Sequence, residues 1–126
     1  MVIPDEYRGW WRIIETSQWA DEHLDLLGPA MFSINGRDDR WRMIALLAEV
    51  EWHVSKSGLG FTLSGAWEFD PMSATGTVKR AADGRLKGTF KIKQGDSSTF
   101  IAEPTEAPAM PIPDAPSYRD KWARRR

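Results

Sequence analysis

The amino-acid sequence predicts a mostly-β protein: a small antiparallel barrel of about eight strands, calycin-like in outline. One short helix is expected after the first strand, and a proline-rich tail at the C-terminus. Three observations carry this prediction. Apolar and polar residues alternate at a period of two through much of the body. Turn signals recur about every 8–12 residues, as in barrels and sandwiches rather than in a parallel α/β sheet. Six of the seven tryptophans (Trp10, Trp11, Trp19, Trp41, Trp52 and Trp67) fall in that same stretch, enough aromatic area for a small domain to build a core.

The elements follow in order. Trp10 to Glu15 reads as a first strand. Ser17 can then cap a helix over about 18–27, with Asp21 and Glu22 in its first turn, where the helix dipole favours anions. Ala20, Leu24 and Leu27 share one face of it, against an end or seam of the barrel, and Gly28-Pro29 stops it. Ala30 to Ile34 is a second strand ending at the turn Asn35-Gly36. Arg40 to Leu46 and Glu49 to Ser55 are expected as two more, with a turn at Leu47-Ala48 that no glycine marks.

Lys56-Ser57-Gly58 turns into a strand in which Phe61, Leu63, Gly65, Trp67 and Phe69 alternate with Thr62, Ser64, Ala66, Glu68 and Asp70. Residues 74–80 and 85–93 form a hairpin around Asp83-Gly84, which supplies the positive φ of a tight turn. Ser98 to Ala102 is the last strand. Five of the eight prolines then lie in the last 24 residues, a spacing that neither helix nor strand tolerates. The organisation expected is a barrel domain over 1–102 and an arm over 103–126 that ends in aromatic and basic residues.

Composition narrows the function. The chain of 126 residues has 17 Lys+Arg against 18 Asp+Glu, a net charge of −1, which excludes a bulk polycation or an acidic tail protein. It has no cysteine, hence no disulfide framework, thiolate nucleophile, Cys-ligated zinc or iron–sulfur cluster. No apolar run reaches the length of a membrane-spanning helix, and Met1 to Arg8 carries no apolar signal core, so a cytoplasmic protein without membrane contact is expected.

The ordered series Trp11-Arg12-Ile13, Trp19-Ala20-Asp21, Asp25-Leu26-Leu27-Gly28-Pro29-Ala30, Gly84-x-Leu86-x-Gly88 and Gly95-Asp96-Ser97-Ser98-x-Phe100 resembles a group of small uncharacterised bacterial proteins. The resemblance spans about residues 9–102. It implies a compact, mostly-β barrel body and brings no established activity. Members of that group carry acidic residues in place of Ser97 and around Asp70, where this chain is less acidic.

Candidate chemistry is sparse. Glu49, Glu51 and His53 share one face of a strand but read best as a solvated outer face, and Asp21 and Asp25 as helix-end carboxylates. Ser97 and Ser98 lack a nucleophile elbow or a placed histidine. No cofactor, metal site or catalytic residue is therefore expected, and the expectation is a non-enzymatic interaction module. Its contact residues would be Tyr118, Trp122, Arg124, Arg125 and Arg126 on the arm, engaging a protein partner or a second copy in a homo-oligomer. Tyr118 and Trp122 stand at i, i+4, so a short helix would present both on one side.

Two alternatives stand beside it. A calycin-like barrel could hold a small apolar ligand lined by Trp41, Trp52 and Trp67, with Gly60, Gly65, Gly76 and Gly88 leaving room inside. A basic face of Lys79, Arg80, Arg85, Lys87, Lys91 and Lys93, six positive charges against one negative over 78–93, could follow a nucleic-acid backbone.

Overall fold

The computed structural model describes residues 2–115. Its eight strands are β1 (Gly9–Thr16), β2 (Met31–Ile34), β3 (Asp39–Met43), β4 (Leu46–Ser55), β5 (Gly58–Trp67), β6 (Asp70–Arg80), β7 (Leu86–Ile92) and β8 (Ser97–Thr105). Each pairs antiparallel with the next, and β8 pairs back onto β1 to close the barrel. Closure leaves no free sheet edge, which suits strands this rich in β-formers.

The period-two pattern resolves into an inner and an outer face. Trp11, Phe32, Trp41, Trp52, Phe61, Leu63, Phe90 and Phe100 point inward and are buried. Their rings form one aromatic stack. Trp41 lies 4.6 Å from Phe32, 5.4 Å from Phe61 and 5.4 Å from Phe100 between ring centroids. Gly76 and Gly88 sit opposite these rings. A Cβ on Gly88 would stand 2.6 Å from Phe100 Cζ, and one on Gly76 would stand 2.5 Å from Phe61 Cζ. The space those glycines leave is therefore taken by the protein's own phenylalanines.

Both barrel ends are plugged. At one end Ile3 and Tyr7 are buried beside a 3-10 turn, Asp5–Tyr7, and the Tyr7 hydroxyl accepts a hydrogen bond from the Arg80 backbone N–H at 3.2 Å. At the other, the β1–β2 connection crosses the opening. Trp19 stacks on Phe90 at 6.0 Å and leans on Trp67 at 5.6 Å, Leu24 is buried, and Leu24 O accepts from Ile44 N at 2.8 Å.

That connection is not the helix of two to three turns that the spacing predicts. A single 3-10 turn forms, Asp21–His23. Ser17 does not cap it: its hydroxyl accepts from Thr99 N at 2.9 Å, tying β1 to β8. Thr16 Oγ1 instead accepts from Trp19 N and donates to Trp19 O, folding the chain before the turn begins. Asp25 then accepts from Ala30 N at 2.8 Å, which bends the chain into Gly28-Pro29. Leu24 alone of the expected apolar face is buried, while Leu27 is 49% exposed.

The β3–β4 turn also moves. It lies at Ile44-Ala45 rather than Leu47-Ala48, with Ile44 at φ 57°. A β-branched residue in that region is strained. Here its N–H is bonded to Leu24 and its side chain is buried, so tertiary contacts hold what local sequence would not choose. Two strands run longer than expected as well: β6 starts at Asp70, and β8 continues to Thr105, past Ala102.

Candidate functional site

The arm residues Tyr118, Trp122, Arg124, Arg125 and Arg126 lie outside the described residues. The described part of the arm, 106–115, is irregular, and it packs on the barrel. Ile112 is 5% exposed and forms a second apolar cluster with Met31 and Leu47, against which Trp10 and Ala115 pack. All of these barrel residues belong to the outer face of β1–β4. Asp114 bonds Arg40 at 2.9 Å, and Arg40 also reaches Glu49 at 3.5 Å. Ion pairs this exposed add little energy, on the order of 0–1 kcal/mol, so Ile112 is the anchor and Asp114 sets the direction.

Lys79, Arg85, Lys87, Lys91 and Lys93 take outward positions on the barrel's far side, whereas Arg80, opposite the buried Leu86, has the inward parity and sits at the barrel rim beside Tyr7, apart from the predicted face. Lys79, Arg80, Arg85, Lys87, Lys91 and Lys93 are all exposed. Lys79 stands directly opposite Lys87, and Lys91 opposite Thr75 and Ser97. Arg85 is drawn aside to Glu103 at 3.8 Å. A row of Thr77, Thr89 and Thr99 runs between the lysines. Phe90 and Phe100 point away from them into the core, so neither can stack a base on this face.

Trp41 and Trp52 are interior, and Trp67 is half-buried near the Trp19 plug. Trp52 Nε1 donates to Ser33 O at 2.9 Å, whereas Trp41 Nε1 is buried with no partner among the described residues. Glu49, Glu51 and His53 are exposed, and His53 lies across from Gly60. Among the described residues no group of three or more His, Asp or Glu is placed to hold a metal ion.

Sequence reasoning missed two residues. Arg12 on β1 and Arg42 on β3 flank Met31 in one cross-strand row, because Arg12 pairs with Met31 and Met31 with Arg42. Both line a cleft of about 430 Å³ between the barrel and the arm, closed on the arm side by residues 105–110. Asp25 bonds Arg12 and holds it at the cleft edge. Arg42 is 9% exposed, and its Nε donates to Pro29 O at 2.9 Å. Burial, then the nearby Arg12 charge, lowers the Arg42 pKa from the usual guanidinium value, and Asp25 acts in the opposite direction. The group stays charged at neutral pH, since a guanidinium does not deprotonate in proteins. Alternation places both arginines outward from sequence; their alignment depends on strand register, which sequence does not display. No model of a protein family matches the chain, and no curated protein or solved structure does either.

Proposed function

We infer that the protein is a non-enzymatic interaction module: a rigid barrel that presents its C-terminal end to a protein partner or to a second copy of itself. The observation that carries this reading is the fastening of the arm at Ile112 and Asp114. An arm without anchors would carry its contact residues at a large entropic cost of ordering. Anchoring at 112–114 fixes the point from which the chain continues to Tyr118, Trp122 and Arg124–Arg126, and so favours docking by that stretch. Aromatic and arginine side chains are the types that dominate protein interfaces.

The same proposal has the barrel working in water, in the cytoplasm. Its outward positions include Lys79, Lys87, Lys91, Glu49 and Glu51. In a lipid-facing barrel each midplane lysine would cost about 2–4 kcal/mol.

The test compares the full chain with a chain ending at Ala115, which keeps the anchor. Light scattering across a concentration series and crosslinking in a lysate are the measurements. The full chain should double in mass, or crosslink a specific protein, and the shortened chain should do neither while keeping the same tryptophan emission. Identical behaviour of the two in both assays would refute the proposal.

A further inference from the structure

We propose that the cleft beneath the arm, at Arg12 and Arg42, binds the oxyanion of a small molecule, a carboxylate or a phosphate monoester. This site is separate from the arm's end and does not depend on its role.

Arg42 points outward from β3 yet is 9% exposed. The guanidinium packs on the Gly28-Pro29 turn. Gly28 has φ 138°, a conformation that strains any side chain, and a Cβ there would crowd the guanidinium at 3.0 Å from its Cζ. Of its donors, Nε is bonded to Pro29 O, and Nη2 faces the Met31 sulfur at 3.7 Å. A thioether is a weak acceptor. No carboxylate oxygen lies within 4.0 Å of this guanidinium among the described residues. Buried charges are ordinarily paired, because desolvating an unpaired one is costly.

The local charge balance sharpens the point. Among the described residues Asp25 is the carboxylate ion-paired within this pair of guanidiniums, and it is paired to Arg12. One of its oxygens takes Arg12 and the other takes the Ala30 N–H. Glu106 lines the arm side of the cleft and is exposed. A cation nine-tenths buried, short of acceptors and lining a cleft of about 430 Å³, has the features of an anion receptor. The size falls within the range of small-molecule sites. Two guanidiniums in one row suit the paired oxygens of a carboxylate or phosphate. Met31, Pro108 and Met110 on the walls offer an apolar surface to the rest of the ligand.

The experiment titrates the full chain with inorganic phosphate, phenyl phosphate and benzoate at matched ionic strength, reading the arginine Nε–Hε signals by NMR. Saturable shifts of Arg42 and Arg12 are expected, stronger for an aromatic probe than for inorganic phosphate. The stronger of phenyl phosphate and benzoate identifies the oxyanion. Arg42→Lys keeps the charge and loses the fork, and should weaken binding about tenfold. If that variant fails to fold, Arg12→Lys supplies the same comparison. No saturable shift with any probe, or shifts that both variants leave unchanged, would overturn the proposal and leave Arg42 as a pin for the Gly28-Pro29 turn.

Discussion

Trp41 and Trp52 occupy the same core, but their indole N–H groups differ. Trp52 gives its hydrogen to Ser33 O; Trp41 has no partner among the described residues. Replacing either with phenylalanine removes similar volume. Trp52→Phe also strands a buried carbonyl, while Trp41→Phe removes a donor that was already unpaired. An unpaired buried polar group costs about 1–3 kcal/mol, so Trp41→Phe should be the milder change by about that amount in urea denaturation. Gly88→Ala runs the other way from propensity. Alanine favours an ordered strand by about 0.5–1 kcal/mol over glycine. Its Cβ, however, would meet Thr77 O at 2.5 Å and Phe100 Cζ at 2.6 Å. One neighbour is backbone and the other is wedged in the aromatic stack, so overpacking wins, with a net loss of about 1–3 kcal/mol expected in the same assay.

At the scale of elements, the arm is the separable piece. Ile112→Asp places a charge in the Met31–Leu47 cluster and should release residues 106–115. Limited proteolysis there is expected to accelerate severalfold, with the Trp10 emission shifting red. The barrel's own unfolding midpoint should move little, because local opening of a surface segment does not draw on the core. An equal loss of barrel stability would show that the arm is part of the core. The anchor itself was hard to read in advance. Ile112 stands between Pro111 and Pro113, in a segment with no periodicity, and its receiving patch consists of outward residues on three different strands. The hairpin over 74–93 was legible because alternation and Asp83-Gly84 agree, and the structure has β6 and β7 there. The turn at Ile44-Ala45 was not, because Leu24, 20 residues away, stabilises it. The expected helix failed for a related reason: Ser17 and Asp25 satisfy β8 and Ala30 instead of a helix end. Local patterns thus predicted the strands and the Asp83-Gly84 turn, and the connections that moved did so where other hydrogen bonds competed, as at Ile44-Ala45 and Ser17.

The whole molecule depends on one seam. Strand β1 pairs with β2 from Gly9 to Arg12 and with β8 from Trp10 to Thr16, so it alone joins the two ends of the meander. On the β8 side, Thr105, Pro104 and Glu103 oppose Trp10, Trp11 and Arg12, and a bulge interrupts the ladder between Ile13 and Glu15. A chain ending at Ala102 keeps only the pairing beyond Arg12, around that bulge. Half the seam would open and wet the edge of Trp11, which is 3% exposed in the closed barrel. A chain ending at Thr105 keeps the whole seam and loses only the arm. The two truncations should therefore differ by more than their three residues suggest. The shorter chain is expected to be less stable by roughly 2 kcal/mol, the worth of about two ladder bonds. Its Trp10–Arg12 amides should exchange hydrogen far faster than those of the longer chain, while β4–β6 amides change in step with global stability. Equal midpoints and equal exchange at β1 would mean that the end plugs, and not the β1–β8 seam, hold the barrel shut.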